Sequence, residues 1–419
     1  MIRIAVLSLA ALLPGCATPP DLLRPEIVGY YAGWKDAVGL DARRLTVINY
    51  AFLDICWQGR HGNPSVEREA PCDAPDGAMV LDDPVRDAAN LARLAALKRT
   101  HPGLKVMASV GGWTRSNRFS DTAADPRARA RFSDSAVVLA RTHGFDGIDI
   151  DWEYPGSTGV PCAAGFTCER PADKRNFVAL ARELRTALDA AGAATGKRYL
   201  ATIAAGNARD FLFDGDSSAW MVELAALLDW VNLMTYDYHG TWESRAGLLA
   251  PLHRDPADPE PVNVDATVTL WLQQGIPARS LVLGLPFYGK GWAGCAPGPA
   301  GDGLYQACAA PLADPPEATF AFAQLTEGGY LGRDAAGAFT SGGRGFTRHW
   351  NAAAGVPYLY NPATRVFITY DDERSVREKV AYAARCGLRG AMYWEVDADR
   401  GGVLAEVVSS GLPRRWERR

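Results

Sequence analysis

Residues 146–155 read DGIDIDWEYP, an acid-rich run with a strand-like pattern. Side chains along a strand alternate between its two faces. Asp149, Asp151 and Glu153 therefore point one way, and Ile148, Ile150 and Trp152 the other. Three carboxylates in a column cannot all stay ionised on a buried face without a large cost. Protons must be shared among them, and the acid nearest the strand end acquires a raised pKa. Such a carboxyl is suited to general acid work, and a charged neighbour can stabilise a developing cation. A metal site would need further acid or His ligands converging from other strands, and few candidates exist. A purely structural network would not need Glu153 at the strand end, ahead of Tyr154 and Pro155. Catalysis is preferred to both. Asp146 has the opposite parity and is expected to serve structure at the start of the strand.

The elements that must hold this column can be read from patterning. Eight short apolar runs are expected as strands: Ile27–Gly29, Leu45–Phe52, Lys105–Val110, Gly147–Glu153, Tyr199–Ala205, Trp230–Tyr236, Leu281–Pro286 and Gly390–Trp394. Helical stretches alternate with them. Asp83 and Pro84 open one that runs to Thr100, and Asp173–Ala191, Val262–Gln274 and Glu373–Arg385 give others. Eight β-plus-α units imply an α/β fold, a (β/α)8 TIM barrel. Barrel interiors are ordinarily filled by branched apolar residues, so a column of acids there calls for a function. Residues 27–288 and 368–410 are assigned to the barrel. Residues 289–367, rich in Gly, Pro and aromatics, are too long for a bare loop. They are expected to form a small α+β subdomain inserted between strand 7 and its following helix.

Composition narrows the function classes. Hydrophobic residues make up 48% and charged residues 22%, which suits a large core and excludes a mainly disordered chain. Lys and Arg number 44 against 48 Asp and Glu, a formal charge of −4, so no global nucleic-acid footprint exists.

Residues 1–15 resemble a signal peptide. The apolar run Ile4–Leu13 is too short to span a bilayer, which takes roughly 20 residues. It ends Leu13-Pro14-Gly15-Cys16, similar to a lipobox, with lipidation expected at Cys16 and ordinary secretory cleavage as the alternative. Residues 16–26 would be a linker and 411–419 a solvated tail. The protein is expected to be exported, either as an envelope lipoprotein held to the membrane only by that lipid or as a secreted protein. Cys56 and Cys72, Cys162 and Cys168, and Cys295 and Cys308 fall into local pairs in Pro/Gly-rich loops. Disulfides fit these better than zinc, since no pair has CxxC spacing. Cys386 is left over and reads as buried and inert.

The acidic run also matches the DxxDxDxE signature of glycoside hydrolase family 18, the chitinase family, and companion segments agree. Ser109–Gly112 resembles the family's SxGG motif and Met234–Asp237 its MxYD motif. Pro286–Gly289 and Met392–Trp394 resemble the segments at strands 7 and 8. Tyr358–Asn361 and Ile368–Asp372 look like the end of the family's inserted subdomain. Lys290-Gly291-Trp292 departs from the pattern, because many relatives carry Arg after the Gly. The resemblance implies hydrolysis of β-1,4-linked N-acetylglucosamine polymers, with retention and with the substrate's own acetamido group as nucleophile. Under it Glu153 is the general acid. Asp151 holds the acetamido N–H, and Asp149 holds or exchanges a proton with Asp151. Tyr236 orients the acetamido oxygen and Asp237 contacts the same sugar. No metal or other cofactor is implied. The expected partner is a chitin-type oligosaccharide, and the chain is expected to act as a monomer.

Aromatic side chains recur at the expected strand exits, where flat apolar sugar faces could stack. Trp394 would form the floor beneath the reacting sugar, and Trp113 a second platform. Tyr154 and Tyr288 stand at the same end. Tyr30, Phe52 and Met234 fit core packing as well as sugar contact, while Trp242 and Trp292 would extend the groove. An endo-β-N-acetylglucosaminidase or a peptidoglycan-directed hydrolase is the rival on this scaffold. A sugar-binding lectin is the lesser rival, since lectins of this type have lost the acid that Glu153 supplies.

Overall fold

Apolar runs separated by amphipathic stretches build a parallel sheet that closes on itself in the computed structural model, which describes residues 24–412 except 336, 338 and 340. In chain order the first seven barrel strands are β1 (Glu26–Ala32), β2 (Val47–Ile55), β3 (Lys105–Gly111), β4 (Gly147–Asp151), β5 (Leu200–Ala205), β6 (Trp230–Leu233) and β7 (Leu281–Pro286). The insertion follows, with β8 (Tyr288–Ala293), β9 (Ala310–Pro311), β10 (Thr319–Ala321), β11 (Thr347–Asn351), β12 (Val356–Asn361) and β13 (Val366–Thr369). The eighth barrel strand is β14 (Gly390–Trp394). Strand β1 pairs in parallel with both β2 and β14, in register Val28 to Val47 and Glu26 to Gly390, which closes the ring. The fold is thus the (β/α)8 barrel.

The main helices covering the barrel are α1 (Pro84–Thr100), α2 (Pro126–His143), α3 (Asp173–Ala193), α4 (Ala219–Leu227), α5 (Val264–Gln273), α6 (Glu373–Arg385) and α7 (Val403–Gly411). Local chemistry explains their limits. Asp83 accepts hydrogen bonds from the Val85 and Arg86 amides with Pro84 in the first turn, so α1 starts where the sequence requires. Helix α2 is capped by Asp125 and ends at Gly144, whose φ of 74° is left-handed.

The outward residues of β4, Ile148 and Ile150, and Trp152 just beyond its end pack under the helices. Trp152 lies against Phe119 and Phe177, with ring centroids 5.4 and 5.2 Å away. Val28, Val47, Met107, Trp230, Val282 and Met392 fill the interior below the acids. Asp146 forms ion pairs with Lys98 (2.5 Å) and Lys197 (2.9 Å) and accepts from the Val106 amide, a purely structural clasp.

Between β7 and α6 the chain builds an antiparallel sheet of six strands, with a short helix at Phe322–Glu327. This sheet begins at Tyr288 and ends at Thr369, slightly wider than expected.

Several expectations need correction. Strand β4 ends at Asp151 and β6 at Leu233, so Glu153 and Tyr236 stand on the loops beyond them. The Gly112 amide bonds the Asp151 carbonyl (2.8 Å), and the Glu153 amide is taken by Ser116 Oγ (2.8 Å) rather than a neighbouring strand. The three expected disulfides, Cys56–Cys72, Cys162–Cys168 and Cys295–Cys308, are formed. Cys386 is buried as expected, but it is no leftover thiol, since no described cysteine is free. Residues 1–15, Cys16 and the tail from 413 lie outside the described residues. Among the described residues no helix is long and apolar enough to cross a membrane.

Candidate active site

Asp149 and Asp151 stand as the alternation of β4 requires, and Glu153 on the loop beyond extends their column to the mouth at the C-terminal ends of the strands. Asp149 is deepest and fully buried. It accepts four hydrogen bonds, from Tyr30 Oη (2.9 Å), Ser109 Oγ (2.8 Å), Thr202 Oγ1 (2.6 Å) and Asn232 Nδ2 (3.1 Å). Burial raises its pKa, and these four neutral donors partly offset that rise.

Asp151 comes next and is also buried, with Oδ1 lacking a hydrogen-bond partner among the described residues. Burial raises its pKa well above the ordinary value, and the charges of Glu153 and Asp149 push it further. Glu153 tops the column with a pKa raised to about 7 by burial, against a lowering hydrogen bond from Tyr154. The acid nearest the mouth is therefore poised near neutrality, while proton sharing centres on the deeper Asp151.

A second group faces this column from the loop after β6 and from β8. Tyr236 is buried, and its phenol stays protonated because burial and the nearby Asp151 charge both raise its pKa. Asn207 holds the loop in place by donating to the carbonyls of Met234 (3.1 Å) and Tyr236. Asp237 adopts a left-handed φ of 55°, which Asp tolerates better than bulkier residues. That turn aims its carboxyl at the cleft. Its side chain is exposed toward the cleft, but desolvation by the surrounding walls raises its pKa, while a hydrogen bond from Tyr288 and the Lys290 ammonium lower it.

These groups open into a cleft of about 920 Å³. It is lined by Tyr30, Phe52, Trp113, Asp151, Glu153, Tyr154, Met234, Tyr236, Asp237, Trp242, Tyr288 and Trp394, so most of the expected site residues meet at one place. Trp394 is half-buried against Phe52, with centroids 5.6 Å apart and planes 15° from parallel, and against Tyr30 at 5.8 Å. Phe52 is thus a backing for Trp394. Tyr30 is buried and spends its hydroxyl on Asp149, which makes it a support for the acids more than a platform. Trp113 and Trp242 are 52% and 62% exposed, with broad ring faces free toward the cleft.

Trp292 is not in the groove. It is fully buried in the core of the insertion, edge-on to Phe367, with its Nε1 donating to the Glu243 carbonyl (3.0 Å). It shares strand parity with Tyr288 and Lys290, but by that point β8 has run beyond the cleft. There Ala246, Leu248 and the Cys295–Cys308 loop cover it.

Sequence reasoning missed Trp34, 48% exposed on the cleft wall beside Trp394. The signal was present, since Trp34 lies just past β1 as Trp113 lies just past β3. It also missed the Lys35–Glu395 ion pair (2.6 Å) and the insertion's contribution of Glu317, Thr319 and Gln324. Among the described residues no cluster of three His, Cys, Asp or Glu side chains is arranged to hold a metal ion.

Comparison with known proteins agrees with this geometry. Residues 26–399 match the family described as glycosyl hydrolases family 18. The chain is 40% identical over 444 residues to Chitinase A1 of Niallia circulans, covering 96% of this chain and 60% of that protein. It is 33% identical over 414 residues to Chitinase B of Serratia marcescens, covering 87% of this chain and 76% of that one. Chitinase ChiA74 from Bacillus thuringiensis is a similar solved structure, with a TM-score of 0.83 at 35% identity over 93% of this chain and 70% of that one. The chain thus spans less than two thirds of the first relative's length. With its acid column, its barrel and its inserted sheet, this chain belongs to family 18 of the glycosyl hydrolases.

Proposed function

We propose that the protein hydrolyses β-1,4-linked N-acetylglucosamine polymers with retention of anomeric configuration. The observation that carries this reading is the column Asp149, Asp151, Glu153 beneath an aromatic-walled cleft, facing Tyr236. Glu153, protonated, gives its proton to the glycosidic oxygen. The substrate's acetamido oxygen attacks the anomeric carbon as the bond to the leaving sugar breaks, forming an oxazolinium ion. Asp151 accepts the acetamido N–H and balances its positive charge, while Tyr236 donates to the acetamido oxygen and aims it. Asp149 takes up part of the charge change by sharing a proton with Asp151. Water then attacks the same carbon and returns a proton to Glu153, and the acetamido group is restored. Asp237 holds the reacting sugar.

The direct test is a product profile on defined N-acetylglucosamine oligomers with anomer analysis, beside a high-mannose glycoprotein and peptidoglycan. β-Anomer as the first product from the oligomers is expected. Inverted product, or release from the glycoprotein or peptidoglycan alone, would refute the reading. Because the acid form of Glu153 is needed, kcat/KM should fall as pH rises through about 7. Trp394→Ala should weaken oligomer binding about tenfold by calorimetry, through loss of a flat stacking surface. Unchanged affinity would reduce Trp394 to a packing residue.

The three disulfides suit an oxidising compartment, and export of the protein is proposed on that basis. Mass spectrometry of the protein from membranes would test lipidation at Cys16.

A further inference from the structure

Trp113 and Trp242, the two most exposed aromatic side chains of the cleft, each lie flat against a glycine. A Cβ built on Gly240 would sit 2.1 Å from two ring carbons of Trp242, and one built on Gly159 would sit 2.5 Å from a ring carbon of Trp113. Both distances are far inside van der Waals contact, so neither ring could keep its place beside any other residue. The two glycines have no other evident need to be glycine. Neither is among the positive-φ residues, and the three atoms nearest each added Cβ all belong to the tryptophan. Gly112 is different. Its added Cβ would meet Phe52 at 2.4 Å, but its φ of 77° already disfavours a side chain.

We infer that Gly240 and Gly159 are positioning residues that set the tilt and height of the Trp242 and Trp113 platforms. They would thereby govern how strongly the enzyme holds sugars beyond the reacting one. Local hydrogen bonds keep the seats rigid. The Glu243 amide bonds the Gly240 carbonyl (3.0 Å), closing the turn that folds Trp242 back over Gly240. The Gly159 amide bonds the Glu153 carbonyl (3.4 Å), in a segment followed by the Cys162–Cys168 bridge. One face of each ring rests on bare backbone and the other is left for a sugar. An exposed tryptophan without such a seat would sample several rotamers and lose that freedom on binding, which weakens affinity. This inference rests on the oligosaccharide reading above.

The test is a pair of double-mutant cycles, Gly240→Ala with Trp242→Ala and Gly159→Ala with Trp113→Ala, read as kcat/KM across oligomers of increasing length. Each glycine variant should lose about 2- to 10-fold on the hexamer, with the loss growing with chain length. Each should add little once its tryptophan is already alanine. Losses that multiply in the double variants, or that are the same for every length, would overturn the inference. A fluorine spectrum of protein labelled with 5-fluorotryptophan reads the seat without substrate. The Trp242 resonance, assigned by its absence in Trp242→Ala, must shift in Gly240→Ala, and an unmoved line would overturn the inference whatever the kinetics. Wild-type protein inert on every oligomer would instead refute the substrate reading, and the spectrum would still decide the seat.

Discussion

Glu153→Gln is expected to lower kcat on N-acetylglucosamine oligomers by about 10²- to 10⁴-fold while oligomer affinity changes little. Glutamine keeps the shape and hydrogen-bonding reach of the side chain but holds no proton it can give to a leaving alkoxide. The half-buried setting that raises Glu153 to about 7 has no consequence for an amide, so the pH dependence near neutrality should vanish with the activity. The leaving group supplies a sharper check. An aryl glycoside whose phenolate departs without protonation should recover much of the loss in its first step. Steady-state and burst kinetics on an oligomer and on a nitrophenyl glycoside would measure this. A variant that keeps full oligomer turnover, or is equally impaired on both substrates, would remove Glu153 from the acid role.

Asp151→Asn should fail differently. Asp151 is buried between Asp149 and Glu153, and its charge is proposed to stabilise the cation formed on the acetamido group. Asparagine conserves volume and removes that charge in a site shielded from water, where electrostatic stabilisation is strongest. The expected cost in kcat is about 10²- to 10³-fold. A good leaving group should not relieve it, because the missing interaction is with the intermediate rather than with the departing oxygen. A near-normal rate would argue against the neighbouring-group pathway. The contrast between the two variants on the two substrates separates proton donation from charge stabilisation, which no single activity assay can do.

Much of this site could be read from local rules. Alternation along β4 is a property of extended backbone. The shared orientation of Asp149 and Asp151 therefore follows from their spacing before any tertiary contact is known, whereas Glu153, past the end of β4, is held by the bond of its amide to Ser116 Oγ. The start of α1 at Pro84 and its Asp83 cap are equally local. The local cysteine pairs follow from short loops in which few other partners lie within reach.

The amino-acid sequence alone determined the barrel, the acid column and the end of the barrel at which chemistry occurs, because strand period, helix capping and short loop closure act over a few residues. The tertiary structure alone decided which aromatics reach the cleft. Trp292 has the same strand parity as Tyr288 yet is covered by residues 246–248 and the Cys295–Cys308 loop, while Trp34 is left open beside Trp394. It also decided that Tyr30, Ser109, Thr202 and Asn232 from four different strands converge on Asp149. Burial and hydrogen-bond partners are set by contacts between segments far apart in the chain. No local pattern encodes which surface a folded neighbour will cover.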